Sequence, residues 1–271
     1  MKRRIVPFLA AAVLLVFLSA AGSAQNSKVI EIALCNDNAP FEFADASGVI
    51  RGFDYEVLKK INELLPEYSF HFQLIDESAE AVGLQTGKYQ LGAGNHFYTA
   101  ARDKTFFLTK AYDYNVIVLA VRTNSTIKTL ADLNGKTVQP IPSLDGMYTV
   151  LHGFLDKNPG IKIYSENSTA GNPADDLKGV VDGRYDAVFW PEVIIDAAQK
   201  GLNLPLKKTG VLDAVGNYFL INRQQPEFRD KVNASIDKLI SSGWLQDLAK
   251  KYFGYDVFKE YADKHPKYDT K

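Results

Sequence analysis

The sequence predicts an α/β protein made of two α/β units with a cleft between them. Strand and helix patterns alternate after the amino-terminal segment, and the alternation starts afresh near residue 114. With 271 residues, of which 46% are hydrophobic, the chain can bury one sizeable core or two smaller ones. Two such units in one chain imply a cleft between them, where proteins commonly bind small ligands.

The first unit is predicted from alternating strand and helix character. Residues 29–36 (VIEIALCN) alternate and are rich in β-branched side chains, which favours a strand. Residues 52–67 carry apolar side chains at helical spacing. An alternating run at 68–75, a helix near 77–86 and a short strand near 89–93 follow. This order predicts βαβ units on a mostly parallel sheet.

The second unit begins with a long apolar strand at 114–121. A helix is predicted near 145–157, and another begins where Asn172 can cap it and Pro173 takes its first position. Short strands are predicted at IKIY, YDAVFW and NLPLKK. The remaining sequence predicts one more strand, AVGNYFLIN, two helices broken at 241–243, and a surface helix that fades into a polar tail.

The amino terminus has the features of a secretory signal peptide. Three basic residues precede an apolar run at 5–18, and small residues follow up to Ala24, after which we predict cleavage. The apolar run is shorter than the roughly 20 residues that a helix needs to cross a bilayer. Cys35 is the only cysteine and lies past this segment, so we expect neither a lipid anchor at the processing site nor an intrachain disulfide.

The charge pattern narrows the range of partners. Removing residues 1–24 changes the formal net charge from −1 to −4, because three basic and no acidic residues are lost. A mildly acidic surface with mixed charges argues against nucleic acid or an anionic membrane as a partner. His71 and His96 have no second histidine or cysteine at metal-ligand spacing, and the sequence shows no phosphate-binding loop, so we expect no metal and no cofactor.

Six segments of the chain occur in the order, and at roughly the spacing, of one family: APFEFADASGVIRGFDYEVLKKI, LQTGKYQLGAG, TAARDKTFFLTKAY, TLADLNGKTV, VVDGRYDAVFW and GWLQDLAKKYFG. With these segments the chain resembles the extracytoplasmic solute-binding proteins of polar amino acid ABC importers, the family 3 solute-binding proteins. The resemblance covers nearly the whole chain after the predicted signal peptide.

The resemblance implies a type II periplasmic-binding-protein fold, in which two crossing strands form the hinge between two lobes. Lobe 1 comprises residues 25–114 and 213–271, and lobe 2 comprises residues 115–212. The resemblance also implies a periplasmic monomer that captures an amino acid or similar small polar solute between its lobes and delivers it to the permease of an ABC importer. Two alternatives stay open: an exported enzyme on the same scaffold, of the cyclohexadienyl or prephenate dehydratase type, and a soluble ligand-sensing domain.

In lobe 1 the resemblance points to Arg102 as the residue that binds the α-carboxylate of the ligand. A guanidinium is always charged and offers a planar pair of donors to two carboxylate oxygens. The alternative is a surface arginine paired with Asp103. Asn95 and Phe97 follow a predicted strand end, where backbone groups can meet a ligand. The other lobe 1 candidates for the cleft wall are Asn38 and Phe41, although a phenylalanine here can equally belong to the core.

In lobe 2 the sequence departs from the family pattern. Many relatives place an aspartate for the ligand's ammonium group after the strand that here ends in DAVF, and this chain has Pro191 at the matching position. Its neighbours are Trp190 and Glu192. Glu192 can supply the anion and Trp190 a cation–π face. The alternative is that Pro191 only opens the next helix, with Glu192 favourable in its first turn.

A second departure lies at the turn before the first helix of lobe 2. Relatives have Gly, Ser and Thr residues that bind a carboxylate there, whereas this chain has Ser143, Asp145 and Gly146. Asp145 can cap the helix, and its charge disfavours a second ligand carboxylate but suits an amine. We therefore expect a zwitterionic or cationic ligand. An enzyme would have to draw its acid or base from Asp145 or Glu192, and we assign no catalytic residue.

Overall fold

The computed structural model describes residues 27–36, 38–143, 145–167 and 172–261. The predicted signal peptide and the end of the predicted tail lie outside the described residues. The strands are β1 (Lys28–Cys35), β2 (Phe43–Ala44), β3 (Ile50–Arg51), β4 (Tyr68–Ile75), β5 (Leu91–His96), β6 (Phe107–Leu108), β7 (Asp113–Arg122), β8 (Lys136–Thr137), β9 (Ile163–Tyr164), β10 (Ala187–Pro191), β11 (Leu206–Lys208) and β12 (Asp213–Ile221).

The helices are α1 (Phe53–Leu64), α2 (Glu77–Thr86), α3 (Ala100–Thr105), α4 (Gly146–Lys157), α5 (Pro173–Val181), α6 (Glu192–Gln199), α7 (Pro226–Ser241), α8 (Trp244–Phe253) and α9 (Val257–Tyr261). A short 3-10 helix spans Leu130–Leu133. Within the described part of the chain, none of these helices combines the length and the hydropathy that a membrane span requires.

Eight of the strands form one sheet that runs through both predicted lobes. The strand order is β10-β7-β12-β5-β1-β4, with β11 paired to β7 and β6 paired to β12. In lobe 1, β1 pairs in parallel with both β4 and β5, as the βαβ pattern predicts. Because β1 and β5 are parallel neighbours, their carboxyl ends meet at one edge of the sheet, next to lobe 2.

Helices cover both faces of the sheet in each lobe. In lobe 1, α1, α7 and α8 bury their apolar side chains against one face, and α2 covers the other through Leu84. In lobe 2, α4 packs Met147 and Leu151 against one face, while α5 and α6 pack Leu177 and Ile195 against the other. Each lobe therefore has its own apolar core, which keeps the lobe rigid while the connection between the lobes can bend.

The two lobes are connected through β7 and β12, which lie side by side. These strands pair antiparallel from Asp213 opposite Ile117 to Asn217 opposite Asp113. Beyond this pairing β12 continues into lobe 1 and pairs with β5. The predicted lobe boundary at 212/213 falls at one end of the paired stretch, and the predicted boundary at 114/115 falls inside it. This geometry is that of two crossing strands able to act as a hinge.

Two local features differ from the sequence prediction. Strand β5 continues to His96, three residues past its predicted end, and so carries Asn95, which adopts a left-handed backbone with φ of 54°. Helix α3 was not predicted, because six residues are too few for a periodic pattern. The Thr99 side chain caps α3 by accepting from the backbone N–H of Arg102. These two features position the residues that face the cleft from lobe 1.

Candidate ligand-binding site

A cavity of about 380 Å³ lies between the two lobes, at the carboxyl ends of β1 and β5. This volume is at the small end of the range for ligand pockets. Seven of the ten predicted site residues line the cavity: Asn38, Asn95, Phe97, Arg102, Asp145, Gly146 and Trp190. The topology thus brings together residues that are more than 150 positions apart in the sequence.

Arg102 projects from α3 into the cavity and is held there by two groups of lobe 1. Its Nη1 donates to the backbone oxygen of Phe97 at 3.1 Å, and its Nη2 lies 3.8 Å from Oε1 of Glu77. The side chain is 15% exposed. Among the described residues, Arg102 therefore forms its ion pair with Glu77 and not with Asp103. A guanidinium has five N–H donors, which allows it to bind a ligand carboxylate while keeping these contacts.

Two asparagines continue the lobe 1 wall, and both are fixed by side-chain hydrogen bonds. Asn38 Nδ2 donates to Glu42 Oε1 at 2.7 Å. Asn95 Oδ1 accepts from Asn115 Nδ2 at 2.6 Å, which ties the wall to the hinge strand β7. These bonds hold the two side chains in place before any ligand arrives, which lowers the entropy cost of binding.

A pair of buried carboxyl groups lies directly behind this wall. Glu42 and Asp54 are both fully buried, and Tyr112 donates its hydroxyl to Asp54 Oδ2 at 2.7 Å. Burial is the main cause that raises the pKa of both carboxyl groups, and for Glu42 the neighbouring charge of Asp54 raises it further. Lobe 1 therefore presents a cationic arginine to the cleft and keeps ionisable acids underneath.

Asp145 faces the cavity from lobe 2. It caps α4 by accepting from the backbone N–H of Met147 at 2.6 Å. Burial raises the pKa of its carboxyl group, whereas the Met147 bond and the positive charges of Arg102 and His96 act in the opposite direction. Arg102 lines the same cavity, and its charge is one of the causes that lower the pKa of this carboxyl group. Groups of opposite charge therefore face each other across the cleft.

Phe97 and Gly146 form a direct contact between the lobes. Phe97 belongs to lobe 1 but packs into a core cluster of lobe 2 and is only 5% exposed. A Cβ atom at Gly146 would lie 2.6 Å from the Phe97 ring, so only glycine fits at the start of α4 in this arrangement. The two lobes therefore touch beside the cavity, as expected for a cleft that can enclose its ligand.

Strand β10 brings Trp190 and Pro191 to the cavity wall of lobe 2. This strand is held by Gln139, a fully buried side chain. Gln139 Nε2 donates to the backbone oxygen of Phe189 at 2.8 Å, and its Oε1 accepts from the Phe189 backbone N–H at 2.9 Å. A neutral side-chain amide thus fixes the strand that carries the wall.

Three of the predicted site residues lie elsewhere. Phe41 is fully buried in the lobe 1 core, with its ring centroid 5.6 Å from that of Phe253. Glu192 begins α6 and pairs with Lys208 Nζ at 2.7 Å. Ser143 is exposed in the turn before α4 and does not line the cavity. The structure thus agrees with the alternative that Phe41 belongs to the core, whereas Pro191 both precedes helix α6 and lines the cavity.

Several cavity residues were not among the predicted site residues. Glu77 lies at the start of α2, directly after β4, and Cys35 ends β1. The rule that ligands bind beyond the carboxyl ends of parallel strands identifies both positions. Met147 and Ile194 are apolar residues of helices, and their sequence pattern does not distinguish them from core residues. Their place in the wall depends on how the lobes come together.

A two-lobed α/β fold with a ligand-sized cavity beside its crossing strands is the architecture of a solute-binding protein. The sequence matches the bacterial extracellular solute-binding proteins, family 3, over residues 30–255. YxeM of Bacillus subtilis (strain 168), a probable amino-acid-binding protein, is 30% identical over 269 residues, which cover 96% of this chain and 99% of YxeM. The chain therefore belongs to the family 3 solute-binding proteins.

Two further relatives agree with this assignment. TcyK of Bacillus subtilis (strain 168), an L-cystine-binding protein, is 28% identical over 221 residues, which cover 80% of this chain and 81% of TcyK. A structure from work on glutathione import via GshT and the cystine ABC importer TcyBC of Streptococcus mutans has a TM-score of 0.76 and 26% identity, and covers 85% of this chain and 97% of that chain. The predicted family and the predicted fold class are confirmed.

Proposed function

We propose that this protein captures an amino acid or a close derivative between its lobes and delivers it to the membrane permease of an ABC importer. The observation that carries the proposal is the pair of opposite charges, Arg102 and Asp145, on facing walls of one cavity. A zwitterion matches both charges at once. The names of the relatives YxeM and TcyK, which refer to an amino acid and to L-cystine, support this ligand class.

In this proposal each wall binds one end of the ligand. Arg102 binds the α-carboxylate through two parallel hydrogen bonds. Asp145 binds the ammonium group and takes the role that an aspartate at position 191 has in many relatives. Trp190 and Phe97 cover the apolar part of the ligand. Closure about β7 and β12 then buries the ligand and creates the shape that the permease binds.

The proposal includes export and a purely binding role. Residues 1–24 direct the chain out of the cytoplasm and are removed, and the protein works as a periplasmic monomer without a lipid anchor. The relatives are named as binding proteins, and Glu192, one of the two acids that an enzyme would need, is held by Lys208. We therefore propose ligand transfer without chemical change of the ligand.

A ligand screen with two arginine variants tests the proposal. The purified protein is screened by thermal shift against the amino acids, L-cystine, glutathione, amines and small organic acids, and each hit is titrated by calorimetry. Because a charge-assisted bond contributes about 1.5–3 kcal/mol, Arg102→Ala should weaken the best hit roughly 10- to 150-fold. Arg51→Ala is the matched control, since Arg51 pairs with Asp45 on the surface at 3.0 Å.

Three results would contradict the proposal. The first is a screen in which no zwitterion or cation stabilises the protein. The second is an affinity that Arg102→Ala leaves unchanged. The third is a hit that is consumed during the titration, because this would favour an enzyme.

A further inference from the structure

A second group of reactive side chains lies just behind the ligand cavity, at the carboxyl ends of β1 and β5. Cys35 ends β1, His96 ends β5, and Glu80 projects from α2. One potential metal-ligand atom from each residue lies within 4.8 Å of the other two. All three side chains are buried, with exposed fractions of 5% for Cys35 and 2% for each of the others. We call these residues the Cys35–Glu80–His96 cluster.

The distances within the cluster are close to those around a tetrahedral zinc ion. Cys35 Sγ lies 3.5 Å from Glu80 Oε2, and His96 Nε2 lies 2.9 Å from the Glu80 carboxylate. Ligand atoms at 2.0–2.3 Å from Zn²⁺ in a tetrahedron are roughly 3.3–3.8 Å apart. The sulfur–oxygen distance already fits this range. The nitrogen–oxygen distance has to open by about half an ångström, because a hydrogen bond now joins these two atoms.

Gly94, which has no side chain, leaves room for the cluster. A Cβ atom at Gly94 would lie 2.6 Å from Cys35 Sγ and 2.7 Å from Cε1 of His96. Any side chain at this position would push the thiol and the imidazole apart. Gly94 and Cys35 also line the ligand cavity, so the cluster borders the cavity directly.

Acidic and unsatisfied polar groups lie in and around the cluster. Glu80 is a carboxyl group of the cluster itself, and Glu77 lines the same cavity as Cys35. A carboxylate beside a thiol stabilises a metal cation at that place. Two buried atoms here, Glu42 Oε2 and His96 Nδ1, have no hydrogen-bond partner among the described residues. The cluster therefore includes a buried ring nitrogen, His96 Nδ1, that no described group satisfies.

We infer that Cys35, Glu80 and His96 form a binding site for a borderline-soft divalent cation of the Zn²⁺ type in the wall of the ligand cleft. One sulfur, one nitrogen and one oxygen ligand suit zinc, whereas calcium and magnesium take oxygen ligands alone. Binding releases the thiol proton of Cys35 to solvent, and the neutral imidazole of His96 binds through Nε2 with its N–H on Nδ1. Three protein ligands leave a fourth position for water or for a donor atom of a solute in the cavity.

The sequence did not predict the cluster, because its members come from three different elements. Metal-site patterns in a sequence rely on two ligands a few residues apart. Here the shortest separation is the 16 residues between Glu80 and His96, and Cys35 lies 45 residues before Glu80. Only the parallel pairing of β1 with β5 brings the cysteine and the histidine together.

Metal titration of the purified protein tests this inference without any amino acid, so its result is independent of the proposed transport function. Zn²⁺ affinity is measured by calorimetry in a non-chelating buffer. Co²⁺ is added in parallel, because a cobalt–thiolate bond gives a charge-transfer absorption band that a carboxylate or imidazole site lacks. We expect one Zn²⁺ per chain, competition between the two ions, and the thiolate band with Co²⁺.

Variants identify the ligands. Cys35→Ser, Glu80→Gln and His96→Gln should each lower the Zn²⁺ affinity by at least about tenfold, since loss of even an outer-shell partner costs this much. Cys35→Ser should also abolish the cobalt–thiolate band. The matched control is His71→Gln, because His71 forms an exposed pair with Glu31 at 3.3 Å and has no thiol beside it. Melting of each variant without metal shows whether it is folded.

Two results would overturn the inference. One is a wild-type protein that gives no thiolate band with Co²⁺ and no saturable Zn²⁺ binding. The other is an equal loss of Zn²⁺ affinity in His71→Gln and in folded His96→Gln. In either case the cluster is a buried hydrogen-bonded group that only supports the wall.

Discussion

The two walls of the cleft are supported by different kinds of side chains. Behind the lobe 1 wall lie ionisable groups, with Glu42 and Asp54 buried under Asn38 and Asn95. The lobe 2 strand β10 is instead fixed by the neutral amide of Gln139 and by an apolar core. Lobe 1 should therefore respond to pH and to cations, whereas the strand wall of lobe 2 should depend mainly on packing and on satisfied backbone groups.

The largest effect on stability is expected for Gln139, the neutral side chain that fixes the lobe 2 wall. Gln139→Leu leaves both the N–H and the C=O group of Phe189 buried without their side-chain partner. Each such loss costs about 1–3 kcal/mol, so the free energy of unfolding should fall by roughly 2–6 kcal/mol. Urea unfolding measures this change. Gln199→Leu is the control, since Gln199 makes one bond of 3.3 Å near the surface, and an equal loss there would refute the role of Gln139.

The next effect concerns the acids of lobe 1 and appears as a pH dependence. The folded-state pKa of Glu42 lies well above that of an exposed glutamate, because burial and Asp54 disfavour its charge. A raised pKa means that the folded protein binds the proton more tightly than the unfolded chain. This contribution is therefore full below about pH 4 and is lost as the pH rises through the folded-state pKa.

Glu42→Gln should remove this contribution while keeping an oxygen that accepts from Asn38. The variant should gain stability over the wild type as the pH rises from about 5 to about 8, by about 1.4 kcal/mol for each unit of raised pKa. Urea unfolding at several pH values measures the difference. Glu63→Gln, at an exposed position, should show no such trend. If both variants behaved alike, the buried acids would not set the pH response.

The smallest effect is predicted for Asp145 in the ligand-free protein. Burial raises the pKa of its carboxyl group, so its charge at neutral pH costs stability. Asp145→Asn keeps a side chain that can cap α4 and removes the charge. The melting temperature at neutral pH should therefore rise slightly. Asp132→Asn should do the opposite, because hydrogen bonds from Lys128 and Thr129 lower the pKa of Asp132. A lower melting temperature in both variants would show that the charge of Asp145 does not cost stability.

The sequence was sufficient for the architecture and for the position of Arg102. Hydrophobic periodicity and caps predicted most of the strands and helices, because these features are local. The segment TAARDK pointed to Arg102 through the family resemblance, although helix α3 that carries it was not predicted. Local chemistry and the family resemblance were thus enough to predict the residue that we propose binds the carboxylate of the ligand.

Residues whose surroundings come from distant parts of the chain could not be placed from the sequence. Phe41 and Phe97 are both phenylalanines near strand ends, but Phe41 packs against Phe253 and Phe97 against lobe 2. Glu192 does not line the cavity and pairs with Lys208, which belongs to strand β11. Such outcomes depend on tertiary packing, which a sequence pattern does not encode.

In the proposed function, the two walls bind opposite ends of one zwitterion. The most direct measurement is calorimetry of the best amino acid hit and of its two analogues, one without the carboxylate and one without the ammonium group. Arg102→Ala should weaken binding of the amino acid far more than binding of the amine. Asp145→Asn should weaken binding of the amino acid more than binding of the acid. Equal losses for the amino acid and both analogues would contradict this mode of binding.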